Sequence, residues 1–345
     1  MASTLGFAIL GAGMVARYHA TAIERTPGAR LVAVSRSDPA RAEETAAQFG
    51  VPCQTDYAAL LARSDVDAVC ICTPSGLHAE QTIAAARAGK HVLVEKPIAL
   101  TLADADAMIA ACEQAGVRLG VALQRRTEPE FQRVQAAIAA GELGRLVLGN
   151  INMPYLRLQS YYDSADWRGT WALDGGGALM NQGIHLVDLL LWLLGDVAEV
   201  RANAATLTHA IEVEDCVTAT LRFANGALGS ITATTAAAPG FPHRVEVYGD
   251  RGGVQIEGEQ VVRWEGENRE PRTEEPANRA PVAAGAGASP TGIGAVGHTR
   301  LLEDFVAAIG TGRDPLAPGC EGRRSLALVL AIYEAARTGQ TVQPG

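Results

Sequence analysis

The chain has 345 residues, 48% hydrophobic and 19% charged, which is too apolar for a disordered polymer and long enough for two domains. Twenty-nine basic against 38 acidic residues leave a net charge of −9, which disfavours nonspecific attraction to nucleic acid or an anionic membrane. Composition therefore points to a soluble protein that works on small molecules. The longest apolar helical run, Leu189–Leu194, is far shorter than the roughly 20 residues that span a bilayer. No cationic signal-like region or twin-arginine pair opens the chain. The six cysteines (Cys53, Cys70, Cys72, Cys112, Cys216, Cys320) lack metal-ligand spacing, so buried thiols, no metal and a cytoplasmic location are expected.

Short apolar runs alternate with Ala-rich amphipathic stretches at first. Phe7–Leu10, Leu31–Val34, Ala68–Cys72, Val92–Val94 and Arg118–Val121 read as strands. Val15–Arg25, Pro39–Phe49, Tyr57–Arg63, Leu77–Ala88 and Leu102–Ala115 carry helical spacing and good helix formers. Strands alternating with helices build βαβ units, hence a parallel sheet covered on both faces. Gly50, Gly89 and Gly116 stand where a left-handed C-cap is needed.

The first strand runs into Gly11-Ala12-Gly13-Met14-Val15-Ala16, and a helix follows. This is G-x-G-x-x-A at the first strand-to-helix turn, the position of the dinucleotide fingerprint. Gly11 permits the tight turn, Gly13 lets the pyrophosphate approach the backbone, and Ala16 keeps helix and strand close. The exposed amides of this turn, through Met14 and Val15, then face the phosphates at the positive end of the helix. An acidic residue at the end of the second strand would hold the ribose diol of NAD. Ser35 and Arg36 stand there instead, a hydroxyl and a guanidinium suited to a 2′-phosphate, which favours NADP over NAD. The alternative is that Arg36 stacks on the adenine and Asp38 caps the next helix at Pro39.

After residue 122 the rhythm changes. A helix is predicted over Glu130–Ala140 and a strand over Arg145–Met153, followed by an irregular aromatic stretch from Tyr155 to Trp171. An apolar helix covers Asn181–Leu194. Strands then follow in succession: Val197–Leu207, Cys216–Phe223, Ala227–Thr235, Arg244–Tyr248, Gly253–Ile256 and Gln260–Trp264, with a hairpin signal at Asn225-Gly226. Residues 265–297 read as a long mobile loop, and Thr299–Ile309 and Gly322–Thr338 as closing helices. The predicted fold class is an α/β Rossmann domain over residues 1–122, followed over 123–345 by an α+β domain with a large, mainly antiparallel sheet.

Two further segments carry reactive groups. Val92-Leu93-Val94-Glu95-Lys96-Pro97 brings a lysine out at the carboxyl end of a parallel strand, the edge where open α/β sheets bind ligands. On the apolar helix, Asn181, His185 and Asp188 share one face at i, i+4 and i+7. Asp188 either joins that site or caps or pairs structurally.

With Cys72-Thr73-Pro74 and His78, Gly89-Lys90-His91 leading into Glu95-Lys96-Pro97, Gly175–Asp188, and Gly322-Arg323-Arg324-Ser325-Leu326, the chain resembles the glucose–fructose oxidoreductase/inositol dehydrogenase/rhizopine-catabolism (Gfo/Idh/MocA) family over nearly its whole length. The resemblance implies a nicotinamide over the mouth of the first domain and a sugar or cyclitol against the sheet domain. It makes Lys96 the catalytic lysine and His185 the catalytic histidine, often with a cis peptide before Pro97. Many members carry Asp four residues before the histidine; here that residue is Asn181, a neutral amide that cannot favour a protonated imidazole as a carboxylate would. In this the chain is similar to the family's nucleotide-sugar 3-dehydrogenases, and Lys96 and His185 must carry more of the proton chemistry.

A secondary alcohol that loses hydride must also lose its hydroxyl proton to a base within hydrogen-bond reach. His185, with an ordinary pKa of about 6.5, suits that role. Lys96 beside an oxidised, cationic nicotinamide gives up its proton more readily and can stabilise alkoxide charge. Further cofactor contacts are expected from Thr73, Pro74, His78, Glu95 and Gln124, although His78 can equally just open its helix. Substrate contacts are expected from Lys96, Asn181 and His185 and from Tyr161, Trp167 and Arg168, whose aromatic faces suit a sugar ring; loop packing or a subunit contact would use Tyr161, Tyr162, Trp167, Arg168 and Trp171 as well. Arg125 and Arg126 either bind an acidic or phosphorylated substrate or form solvated interdomain pairs. The expected protein is an NAD(P)-dependent dehydrogenase of a sugar, sugar derivative or cyclitol, working as a homo-dimer or homo-tetramer. The alternatives are a glycoside hydrolase using tightly bound NAD through transient C3 oxidation, and a non-catalytic NAD(P)-binding sensor.

Overall fold

The computed structural model describes residues 4–266, 287–288 and 295–345. Most of the loop expected over 265–297 lies outside the described residues. Strands β1 (Leu5–Leu10), β2 (Ala29–Ser35), β3 (Cys53–Gln54), β4 (Ala68–Ile71), β5 (His91–Val94) and β6 (Leu119–Val121) form one all-parallel sheet in the order β3-β2-β1-β4-β5-β6. The crossovers carry α1 (Met14–Arg25), α2 (Ala42–Phe49), α3 (Tyr57–Leu61), α4 (His78–Arg87) and α5 (Leu102–Ala115). The strand order reverses between β1 and β4, the switch point at which such sheets take ligands. Gly50 and Gly116 close α2 and α5 in the left-handed conformation.

The second sheet is preceded by α6 (Pro129–Ala139) and includes β7 (Leu146–Pro154). After a short α7 (Gln159–Tyr162) comes a π-helical segment, Ala178–Gly183, which runs into α8 (Ile184–Leu194). Then follow β8 (Val197–Ala205), β9 (Cys216–Phe223), β10 (Leu228–Thr234), β11 (Arg244–Gly249), β12 (Gly252–Glu257) and β13 (Gln260–Gly266). The sheet order is β13-β12-β11-β7-β10-β9-β8, antiparallel throughout except for the parallel pair β7–β10. β9 shows why one face is covered: Val217, Ala219, Leu221 and Phe223 are buried, while Thr218, Thr220 and Arg222 between them are exposed. α8 lies on the buried face. Its Leu194 packs so close to β7 that a side chain at Gly149 would begin 2.4 Å from Leu194 Cδ2.

The chain ends with α9 (Val296–Thr311) and α10 (Gly319–Thr338). Residues 4–124 and 295–323 pack into one compact unit, and the remaining described residues into a second. α9 is thus a core element of the first unit. Its Leu301, Leu302 and Phe305 join Phe7 and Ile9 of β1, Ala16, Ala20 and Ile23 of α1, Val34 of β2, Cys70 of β4 and Leu93 of β5 in one buried cluster. Gly120 of β6 makes room for Phe305, whose ring would lie 3.1 Å from a Cβ there. Phe305→Ala should therefore lower the stability of the first unit by about 3–5 kcal/mol in denaturant unfolding; a loss below about 1 kcal/mol would mean that α9 is not part of this core.

Candidate active site

The turn after β1 has the two geometries that its two glycines require. Gly11 sits at φ +90°, and a Cβ there would lie 2.8 Å from the Cys72 carbonyl oxygen. Its N–H donates to the Ser35 carbonyl (3.1 Å), so the ends of β1, β2 and β4 converge on this residue. Gly13 has ordinary extended backbone, and among the described residues nothing lies within 4 Å of where its Cβ would be. It is the N-cap of α1, without a side-chain cap and without an acidic residue in the first turn. Amide N–H groups and the positive helix end are thus open to an anion across a surface with no side chain. These features fit a dinucleotide pyrophosphate, with Met14 (41% exposed) and Val15 flanking it.

At the end of β2, Ser35 is buried and Arg36 half-buried, the latter donating weakly to Thr45 Oγ1 (3.4 Å). Asp38 is committed elsewhere: its carboxylate accepts the Ala40 N–H at 3.0 Å and caps the turn Pro39–Arg41. No acidic side chain therefore stands directly at the end of β2.

The ends of β4 and β5 are joined by His78, the first residue of α4. Its buried ring lies 2.9 Å from the Pro97 carbonyl through Nδ1 and 3.1 Å from the Thr73 carbonyl through Nε2. Burial holds its pKa below the usual histidine range, against the pull of both carbonyls; a neutral ring donates to one of them at a time. Thr73 Oγ1 donates to Gln81 (2.6 Å), and the Lys96–Pro97 peptide is cis. Lys96 is half-buried at the strand end, whereas the Glu95 carboxylate turns inward, so its backbone is what Glu95 can offer a ligand. Gln124, in the turn after β6, is also buried.

In the second unit the helix bearing the histidine begins with a π-helical turn. Glu214 clamps that turn: its carboxylate accepts the N–H groups of Gly177 (2.7 Å) and Leu179 (2.8 Å) and the Tyr333 hydroxyl (2.9 Å). Burial pushes its carboxyl up to about 7, against the pull of those donors. A side chain at Gly177 would collide with the Glu214 carbonyl at 1.8 Å. Asn181, in this turn, donates through Nδ2 to Asp174 at 2.5 Å. A carboxylate thus does accompany the site, reached through the amide. His185 follows in the first turn of α8, half-buried.

Gln182 ties this turn to the aromatic stretch. Its Nε2 donates to Asn181 Oδ1 (3.2 Å) and to the Tyr161 hydroxyl (3.1 Å), which also accepts from Arg168 Nη1 (2.6 Å). The Arg168 guanidinium lies 4.3 Å from the centroid of Tyr161 and 4.6 Å from that of Trp167. Asn181, Tyr161, Trp167 and Arg168 are therefore one connected patch. Asp188 is not part of it: it is buried, holds Arg126 bidentately at 2.7 and 2.8 Å and accepts from Ser325 at 3.0 Å. Arg125 pairs with Glu259 and His243. Asp174, Glu214 and the buried His19 and His298 were missed by sequence reasoning, because isolated polar residues carry no period or motif.

An uncapped helix behind a two-glycine turn, at the switch point of a parallel sheet, defines a dinucleotide-binding protein. Residues 5–123 match the oxidoreductase family with an NAD-binding Rossmann fold, and residues 131–255 match the GFO/IDH/MocA C-terminal domain. The chain belongs to the Gfo/Idh/MocA oxidoreductases. It is 31% identical over 342 residues to the D-apiose dehydrogenase of Paraburkholderia graminis, covering 97% of this chain and 88% of that protein. It is also 31% identical to the inositol 2-dehydrogenase of Rhizobium meliloti, covering 94% of each. Among solved structures, the WlbA dehydrogenase of Bordetella pertussis in complex with NADH and UDP-GlcNAcA superposes with a TM-score of 0.87 at 35% identity, over 99% of this chain and 98% of that one. No helix among the described residues is long and apolar enough to cross a membrane.

The two glycines should separate on substitution. Gly11→Ala is expected to cost about 2 kcal/mol or more of stability, from positive φ and the Cys72 carbonyl. Gly13→Ala, which loses a favoured N-cap residue but meets no clash at an ordinary φ, should change stability by no more than about 1 kcal/mol, yet weaken NADH binding about tenfold. Thermal unfolding and NADH fluorescence titration check both; equal effects of the two substitutions on each readout would contradict this reading of the turn.

Proposed function

We propose that this protein is an NAD(P)-dependent dehydrogenase of a secondary hydroxyl on a sugar, sugar derivative or cyclitol, with the first unit binding the cofactor and the second the substrate. The observation that carries the reading is the open amide surface at Gly13 on the same sheet edge as Lys96. The substrates named for the relatives, D-apiose, inositol and a nucleotide sugar, support the substrate class. A bound nicotinamide supplies the hydride acceptor or donor. Lys96 and His185 hold and move the hydroxyl proton, and Asn181, backed by Asp174, orients the helix turn beside the histidine. Tyr161, Trp167 and Arg168 present an aromatic and cationic surface suited to a sugar ring and its polar groups. Thr73, Pro74, His78, Glu95 and Gln124 shape the cofactor edge, the last two through buried positions.

We infer NADP as the preferred cofactor, since Asp38 is taken up in a cap and Arg36 stands at the ribose end of β2. Six cysteines without a disulfide suit a reducing cytoplasm. The face of the second sheet on which Leu148 and Leu228 are exposed suits a homo-dimer or homo-tetramer.

Lys96→Ala should bind NADH within about threefold of the native protein and lower turnover by about 10²–10⁴-fold, as loss of a proton-handling group does. Retained turnover would remove Lys96 from the chemistry. Arg36→Ala should weaken NADP about tenfold or more while leaving NAD nearly unchanged, a difference of a charge-assisted hydrogen bond; equal losses for both cofactors would end the NADP preference.

A further inference from the structure

The turn that binds the cofactor does not require the cluster beneath Lys96. Glu95 is 7% exposed, and two helices bring imidazoles to it: His19 (1% exposed) from α1 and His298 (3% exposed) from α9. His19 Nε2 bonds Glu95 Oε1 at 2.8 Å, and His298 Nε2 lies 3.8 Å from the same oxygen. The other oxygen, Oε2, accepts the backbone N–H of Lys96 at 3.3 Å. One carboxylate thus links two buried imidazoles to the peptide of the lysine.

A carboxylate buried this deeply is costly unless it is paired and hydrogen-bonded, and an apolar side chain would pack the same space at less expense. Burial pushes the Glu95 carboxyl up, but the hydrogen bonds of His19 and His298 and the charge of His19 hold it well below the usual carboxylate range. The groups around it are Cys70 of β4, Cys72 just after that strand, His78 of α4, His19, His298 and Lys96 itself. Burial raises the Cys72 thiol to about 11 and lowers both His78 and His298, so these three are neutral at physiological pH. Three ligand-type atoms of His19, Glu95 and His298 do lie within 4.8 Å of one another. The 2.8 Å between His19 and Glu95 is nevertheless hydrogen-bond length, shorter than the roughly 3.3 Å between two ligands of a tetrahedral zinc.

We propose that Glu95, braced by His19 and His298, is a positioning residue for Lys96, fixing its main chain at the strand end and setting the charge that its ammonium meets. The proposal rests on the reading that Lys96 handles the proton. The sequence makes a direct test possible, because Lys90 and Lys96 are the only two lysines in the chain. Lys90 Nζ donates to the carbonyls of Arg63 and Val66, which makes it an internal reference.

Protein labelled with carbon-13 at the lysine Cε and saturated with NAD is titrated with pH by NMR, Lys96→Ala assigning the resonance. Glu95→Gln should move the Lys96 midpoint down by about one pH unit, since loss of a neighbouring carboxylate disfavours the ammonium, with Lys90 unmoved. Glu95→Asp, which keeps the charge, should restore most of the native value. His19→Gln should move the midpoint the opposite way, and it decides the matter alone if Glu95→Gln does not fold. A Lys96 midpoint unmoved in the folded variants overturns the proposal, as does stoichiometric zinc in the purified protein. Turnover retained by Lys96→Ala would instead defeat the proton-handling reading itself, independently of where the midpoints fall.

Discussion

The carboxyl edge of the first sheet depends on one close approach, that of Gly11 to the Cys72 peptide. Three strands end there: Gly11 N–H reaches the Ser35 carbonyl, Cys72 N–H reaches the Leu10 carbonyl, and no side chain fits between. The turn can only then present bare backbone at Gly13 and start α1 without a cap. The edge continues through His78, which links the turn after β4 to the turn after Lys96. Cofactor turn and lysine are therefore neighbours on one sheet edge, with the His78 ring between the turns after β4 and β5.

Carboxyl groups are also buried beneath the turns of both units. Glu95 lies under Lys96, Glu214 under the π-helical turn before His185, and Asp188 under Arg126. Each carboxyl group accepts several donors, as a buried polar group must. Asn181 adds a variation. The amide stands at the place where many relatives are expected to carry an acid, and Asp174 supplies that acid one hydrogen bond away.

Much of the fold was legible because periodicity and glycine chemistry are local. The α5 boundaries agree residue for residue, and β9, with its strict alternation, was equally plain. β3, only two residues long, leaves too little pattern to read. The helix predicted over Asn181–Leu194 is in fact π-helical through Gly183, because Glu214, from a distant strand entrance, holds Gly177 and Leu179. Nor does amphipathic spacing reveal which sheet a helix will cover, so the return of α9 to the first core left no mark in the sequence. At the candidate site, Gly11, Gly13 and Lys96 stand out by their position after strands. His19 and His298 do not, since a lone histidine in an apolar helix shows its partner only when a carboxylate from another element meets it.

Family membership makes the chain a Gfo/Idh/MocA oxidoreductase with an NAD-binding Rossmann unit, and the proposed activity is hydride transfer between the nicotinamide and a sugar or cyclitol hydroxyl. The most direct test follows the absorbance of reduced nicotinamide while sugars, cyclitols and nucleotide sugars are offered in turn with NAD and NADP, together with product analysis. The account predicts stoichiometric reduction of added cofactor with at least one polyol and no cleavage of any glycosidic bond. Cleavage of a glycoside without net cofactor reduction, or cofactor binding with no hydride transfer across the whole panel, would contradict it.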